Sequence, residues 1–224
     1  MRIGGTASRG FAACLAALVP SVAAARGIEV GLRAGYAVPY GYATDRVSLP
    51  ASVLGKFPLI LDAGFRFGDR VYAGFLGEIA YGLPRGCDPG ATCSVQDYRI
   101  AFNGQLHLRK DSPRVDPWVG IGFGYEFLHQ SRAGAAPGPS DENLTLHGIH
   151  FLIAQAGCDF HVAPRFAIGA FVSFDVAEFA SQGGTVGDKP VPGEVLQPAI
   201  HGWATFGVRG VFELWNMAPV APLL

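Results

Sequence analysis

Val119-Gly120-Ile121-Gly122-Phe123-Gly124-Tyr125-Glu126-Phe127 is apolar at every odd position and glycine or glutamate at every even one. Strict period-two alternation is the mark of a β-strand with one apolar face. A helix tolerates three glycines in five residues badly, so this stretch does not compete as one. The rest of the chain follows from asking how often the pattern recurs and what separates its copies.

It recurs on both sides. Upstream, segment 28–36 sets Ile28, Val30, Leu32, Ala34 and Tyr36 against Glu29, Gly31, Arg33 and Gly35. Segment 57–67 opposes Phe57, Leu59, Leu61, Ala63, Phe65 and Phe67 to Ile60, Asp62, Gly64 and Arg66. Segment 71–81 opposes Val71, Ala73, Phe75, Ile79 and Tyr81 to Tyr72, Gly74, Leu76, Glu78 and Ala80, and 98–108 opposes Tyr98, Ile100, Phe102, Leu106 and Leu108 to Arg99, Asn103, Gln105 and His107. Downstream, 146–160 is irregular at its start, then sets Leu152, Ala154, Ala156, Cys158 and Phe160 against Gln155, Gly157 and Asp159. Segment 166–176 opposes Phe166, Ile168, Ala170, Val172, Phe174 and Val176 to Gly169, Ser173 and Asp175, and 204–214 opposes Phe206, Val208, Phe212 and Leu214 to Thr205, Gly207, Arg209 and Glu213.

With the quoted stretch these make eight strands. The joints 68–70, 110–116 and 161–165 are short, whereas 37–56, 82–97, 129–143 and 177–201 are long. Short and long alternate without exception, which predicts an all-β fold, an eight-stranded antiparallel transmembrane up-and-down β-barrel, with both ends on the short-turn side.

Composition agrees. Of the 224 residues 50% are hydrophobic and 16% charged, yet no run of eighteen uncharged apolar residues exists, which excludes a transmembrane helix. Closed barrels are the other way to cross a bilayer. A net charge of −1 with no basic run excludes nucleic-acid binding.

Alternation alone leaves open whether the apolar face meets lipid or fills a soluble barrel. Glycine crowds the polar face, which a solvated surface does not need but a narrow eight-stranded interior does. The aromatics sort by height. Tyr36, Phe57, Tyr81, Tyr98, Phe127 and Phe174 fall at the long-loop ends of their strands, and Phe65, Phe67, Phe160, Phe166 and Phe212 at the short-turn ends. Two aromatic rings around an aliphatic band are what a bilayer's interfaces select.

Residues 1–26 read as a secretory signal peptide, with Arg2 and Arg9, an apolar stretch over 11–22, and Ala23-Ala24-Ala25 for cleavage. Residues 27–214 then form the barrel and 215–224 a short tail. Phe11 stands where a lipobox usually carries Leu, so Cys14 is not read as a lipidation site. In an oxidising compartment Cys87 and Cys93 pair locally and Cys158 is left as a membrane-facing apolar residue.

Parity sends Glu29, Asp62, Glu78, Glu126, Asp159, Asp175 and Glu213 inward with Arg33, Arg66, Arg99, Arg109 and Arg209, beside Asn103, Gln105, His107 and Gln155. Charges in so narrow a space must pair, since an unpaired one costs about 3–5 kcal/mol. The expectation is a salt-bridged plug, with a narrow conduit for small solutes as the alternative. A lipid-modifying enzyme would need a nucleophile system on the lipid face. His147 and His150 lie three apart, on opposite faces of a strand, with no Ser beside either, so neither a catalytic pair nor a metal site is expected. The loops near 132–142 and 181–193 lack aromatic anchors, and Tyr40 and Tyr42 make the first long loop the better binding candidate.

On its opening strand, Gly-Ile-Glu-Val-Gly-Leu-Arg-Ala-Gly-Tyr over 27–36, and on its topology over 27–214, the chain resembles the small outer-membrane barrels of the OmpA, OmpX and OmpW type. The resemblance implies a monomer in the bacterial outer membrane with both termini periplasmic. It implies lipid and lipopolysaccharide as surroundings and the barrel-assembly machinery as partner in biogenesis. Some barrels of this size modify lipid A, but the residues around His147 and His150 predict no enzymatic activity here, and no cofactor is expected. The residues after the last strand, with Pro219 and Pro222, depart from the terminal aromatic on which such barrels often end.

Overall fold

The computed structural model describes residues 25–44, 47–108, 114–134, 141–187, 189–191, 193–195 and 197–216. The expected signal peptide up to residue 24, Arg109, and the tail from 217 lie outside the described residues.

Eight long antiparallel strands dominate the described residues: β1 (Ala25–Thr44), β2 (Val53–Phe67), β3 (Val71–Pro84), β4 (Thr92–His107), β5 (Val115–Ala133), β6 (Glu142–Ala163), β7 (Phe166–Val186) and β8 (Ile200–Asn216). Each pairs with its neighbour in sequence, and β8 pairs with both β7 and β1, so the sheet closes into a ring. The seam between β1 and β8 runs from Gly27 opposite Asn216 to Gly41 opposite His201. The turn between β2 and β3 is tight, and Gly68 there takes a φ of +60°, a conformation that favours glycine.

The strands are longer than their hydrophobic alternation, 14 residues in β3 and 22 in β6. The excess lies on the long-loop side, where β5 and β6 stay paired out to Arg132 opposite Glu142. Alternation fades there because polar residues pair across the strands, Ser94 with Ser131 at 2.8 Å and His129 with Thr145 at 3.0 Å. The backbone ladder continues without an apolar face to announce it. The irregular start of the sixth segment has a different cause. A register shift between His150 and Leu152 turns both Phe151 and Leu152 outward, and parity changes across it.

Inward glycines stand across from bulky or polar partners. Gly31 faces Asp62, Gly157 faces Trp118 and Gly169 faces Asp159. A Cβ on Gly157 would sit 2.5 Å from the Trp118 ring, and one on Gly31 2.7 Å from the Asp62 carboxylate. Alternating large and absent side chains is how so narrow a barrel fills.

The filling is layered. Ile60, Leu76, Ala101, Trp118, Ile153 and Phe171 form an apolar cluster inside the barrel. A second, including Val53, Val95, Leu128, Leu146, Phe179 and Trp203, caps the interior at the long-loop end. Leu49, from the short helical turn Leu49–Ser52, and Val195 complete that cap. Outside, the band between the two aromatic rings is not purely aliphatic, contrary to expectation. Phe75, Phe102 and Phe123 project from adjacent strands with centroids 5.8 and 5.7 Å apart, and Phe75 is 71% exposed. Cross-strand neighbours on one face of a sheet are close enough for rings to pair, which favours such a ladder.

Candidate functional site

The interior carries a buried salt-bridge network in two tiers. The lower tier lies toward the short turns. Arg66 reaches Glu29 at 3.3 Å and Glu213 and Asp116 at 3.2 Å each, and His107 meets the same Asp116 at 3.0 Å. Arg209 bonds Glu29 at 3.3 Å, Asp159 at 3.4 Å and the Gln105 side-chain carbonyl at 3.0 Å. Arg33 binds Asp62 at 2.8 Å and the Gln155 carbonyl oxygen at 2.6 Å, and Gln155 donates in turn to Asn103. Trp118 lies under both guanidiniums, 4.5 Å from Arg209 and 5.5 Å from Arg33. Such stacking supplies contact on a face that hydrogen bonds leave bare.

The upper tier forms a ring just beneath the apolar cap. Glu78, Arg99 and Glu126 are successive cross-strand neighbours on β3, β4 and β5. Arg99 bridges Glu78 and Asp175. Lys56 bonds Glu78 at 2.7 Å, pairs with Asp97, and lies 4.2 Å over the Trp203 ring. Glu126 collects the most donors, accepting from Trp203 Nε1 at 2.7 Å and lying 2.9 and 3.0 Å from the Nε2 atoms of His150 and His201. Tyr40 of β1 lies on the outer face at this height, stacked on Phe174 at 4.6 Å, and its hydroxyl donates to the Asp175 backbone carbonyl. Strands β2 to β8 each supply a side chain to this ring. Because Lys56, Asp97, Glu126 and Asp175 flank the outward Phe57, Tyr98, Phe127 and Phe174 in sequence, the ring sits at the height of the long-loop aromatics.

The polar residues expected inside are all placed in these two tiers except Arg109, which is not described; Arg66 and Glu213, at the rim, keep some exposure. Sequence reasoning missed Lys56, Asp97, Asp116 and His201, which it left in connections, and did not single out Trp203. Parity carries the signal. Lys56 shares its face with Ile60 and Asp62, Asp97 with Arg99, and His201 with Trp203 and Thr205, but Pro58 and the loss of outward apolar residues conceal it. His150 is sealed in the interior, while His147 packs outside against Phe127 at a centroid distance of 5.2 Å.

The expected outer aromatics are exposed or half-buried, and Tyr36 packs against Phe57 at 5.2 Å and Phe206 at 5.9 Å. Cys87 and Cys93 form a disulfide, and Cys158 is free. Among the described residues no group of three or more His, Cys, Asp or Glu is arranged to hold a metal ion. The two tiers do one thing chemically: they tie charges on distant strands together across the lumen, where most of these side chains are buried and a broken pair is costly.

No protein-family model and no curated protein sequence matches the chain. Solved structures do. Neisserial surface protein A aligns over 83% of this chain and 97% of its own, at 18% identity and a TM-score of 0.49. Ail, the attachment invasion locus protein of Yersinia pestis, covers 84% of this chain and 99% of its own at 15% identity and a TM-score of 0.41. The outer membrane protein OprG from Pseudomonas aeruginosa covers 86% of this chain and 98% of its own, with 11% identity and a TM-score of 0.54. With the ring closed by β1 and β8, that last likeness assigns the chain the fold of the small eight-stranded antiparallel barrels to which OprG belongs.

Proposed function

We propose that the protein is an integral protein of the bacterial outer membrane whose barrel is closed at rest and serves the envelope structurally. One observation carries the reading: the apolar residues face outward while a fully partitioned interior, ion pairs and apolar clusters together, occupies the lumen. Such an arrangement is stable only where the outside is as apolar as a soluble protein's inside. The outward aromatics then sit at the two interfaces, and lipid and lipopolysaccharide cover the band between them. Both termini lie on the periplasmic side with the short turns, the long loops face outward, and the barrel-assembly machinery inserts the chain, which acts as a monomer without catalysis or cofactor.

A narrow conduit is the second reading. It is favoured by a small recess at the short-turn end, lined by Arg66, Asp116, Asp159, His161, Arg165 and Glu213 beside Phe166, Ala167 and Val211. A conduit entered there would meet the Ile60–Phe171 apolar cluster before the upper ring. Single-channel recording of the refolded barrel at pH 6 separates the two. The closed barrel predicts silence from inserted protein, and steady ohmic steps would make it a small-solute channel.

A further inference from the structure

The upper ring does not balance its charge with fixed ions. Four carboxylates, Glu78, Asp97, Glu126 and Asp175, face only two permanent cations, Lys56 and Arg99, and all six side chains are buried. With all four carboxylates ionised, two negative charges are left over at a level bounded above by the apolar cap and below by the Ile60–Phe171 cluster. Uncompensated charge in such surroundings is strongly disfavoured. The remaining titratable groups that complete the ring are His150 on β6 and His201 on β8. Both direct Nε2 at the same oxygen of Glu126, and His150 Nδ1 lies 3.8 Å from Asp175. The count of missing positive charges equals the count of histidines. On β1, Tyr40 lies on the outer face, stacked on Phe174.

We propose that the ring is a proton-operated lock, closed when it holds two protons on its histidine pair and opened when they leave. The proposal rests on the closed-barrel reading above. Histidine is the side chain whose unperturbed form gains and loses its charge most readily near neutral pH, which suits it to such a lock. Loss of both protons leaves four carboxylates against two cations, a charge that draws in water and small cations. A mechanical link to the cap is present. The Phe179 ring, part of the apolar cap, stacks on the His201 imidazole with centroids 3.8 Å apart and planes 15° from parallel. Hydration around His201 therefore loosens the same contact that seals the long-loop end.

The test records wild-type, His201→Asn and Glu126→Gln barrels in planar bilayers between pH 5.5 and 9. Wild type is expected to be silent at the acid end and to show reversible, cation-selective steps as pH rises. His201→Asn removes one proton-binding cation and is expected to conduct at pH 5.5. Glu126→Gln removes the carboxylate that both histidines face and so weakens the hold on their protons, and is expected to shift opening to lower pH. A wild-type barrel silent across the whole range refutes the lock and leaves the closed barrel standing. One that conducts equally at every pH refutes the closed barrel itself. A pH-dependent conductance that neither variant moves also refutes the lock. Should neither variant fold, proton release from the folded wild type decides: two protons per chain accompany opening if the lock is right, and opening without release overturns it.

Discussion

Replacing Lys56 with Met is the most informative single change to the upper tier. Lys56 is 1% exposed, bonds Glu78 at 2.7 Å, pairs with Asp97 and covers the Trp203 ring. Met matches its length and keeps the apolar contact, so the substitution removes charge more than volume. Two buried carboxylates then lose a shared cation. Breaking one side of a buried pair typically costs about 3–5 kcal/mol, because the stranded charge keeps its desolvation penalty. The argument is sharper in a double-mutant cycle. Asp97→Asn in the Lys56→Met background removes one of the stranded charges, so the double variant is expected to be more stable than Lys56→Met alone. Urea unfolding of the barrel refolded in lipid vesicles at pH 6, read by tryptophan emission, measures all four species. A loss below about 1 kcal/mol for Lys56→Met, the size of an exposed pair, would refute a sealed ring. So would additive losses from the two substitutions, since independent sites add and members of one network do not.

Further predictions concern the wall and the loops. Phe75 lies midway along β3, so Phe75→Arg is expected to cost about 2–4 kcal/mol in bilayers, and Tyr81→Arg near the long-loop end about 0–1 kcal/mol, measured by the same unfolding. A Cβ on Gly207 would meet the Ala34 carbonyl at 2.2 Å, whereas one on Gly77 meets nothing within 4 Å. Gly207→Ala is therefore expected to lower stability by about 1–3 kcal/mol and Gly77→Ala to be far milder, a contrast that thermal midpoints resolve. Cys87→Ser with Cys93→Ser opens a seven-residue loop, and chain entropy bounds the loss at about 2 kcal/mol. Faster cleavage after Arg85 by trypsin in the variant checks the same loop.

The barrel was legible because its outward face is apolar at period two for as long as the strand stays opposite the bilayer's core. The polar tier read off that alternation was correspondingly complete where Phe, Leu and Ile kept the phase, as for Arg33, Asp62, Glu78 and Arg99. Above the long-loop aromatics the outward partners become Gln96, His129, Ser131 and Thr145, so the strand goes on while its signature stops. Lys56, Asp97 and His201 lie just at that transition, and reading them as loop residues hid the upper ring. Asp116 was lost for a related reason at the other end, where Asp116-Pro117 reads as a turn although β5 already begins at Val115. Charge balance across the lumen joins residues as far apart as Glu126 and His201, and no local pattern reports it.

The central claim is a bilayer-facing wall with a sealed interior, and a nitroxide scan along β3 tests it most directly. Labels placed singly from residue 72 to 81 of the barrel in lipid vesicles are compared for collision with oxygen, which partitions into lipid, and with a water-soluble nickel chelate. The account predicts high oxygen access at 73, 75, 77 and 79, greatest near Phe75, alternating with positions 72, 74, 76 and 78 that neither reagent reaches. Nickel access at those even positions, or a profile without alternation, would contradict it.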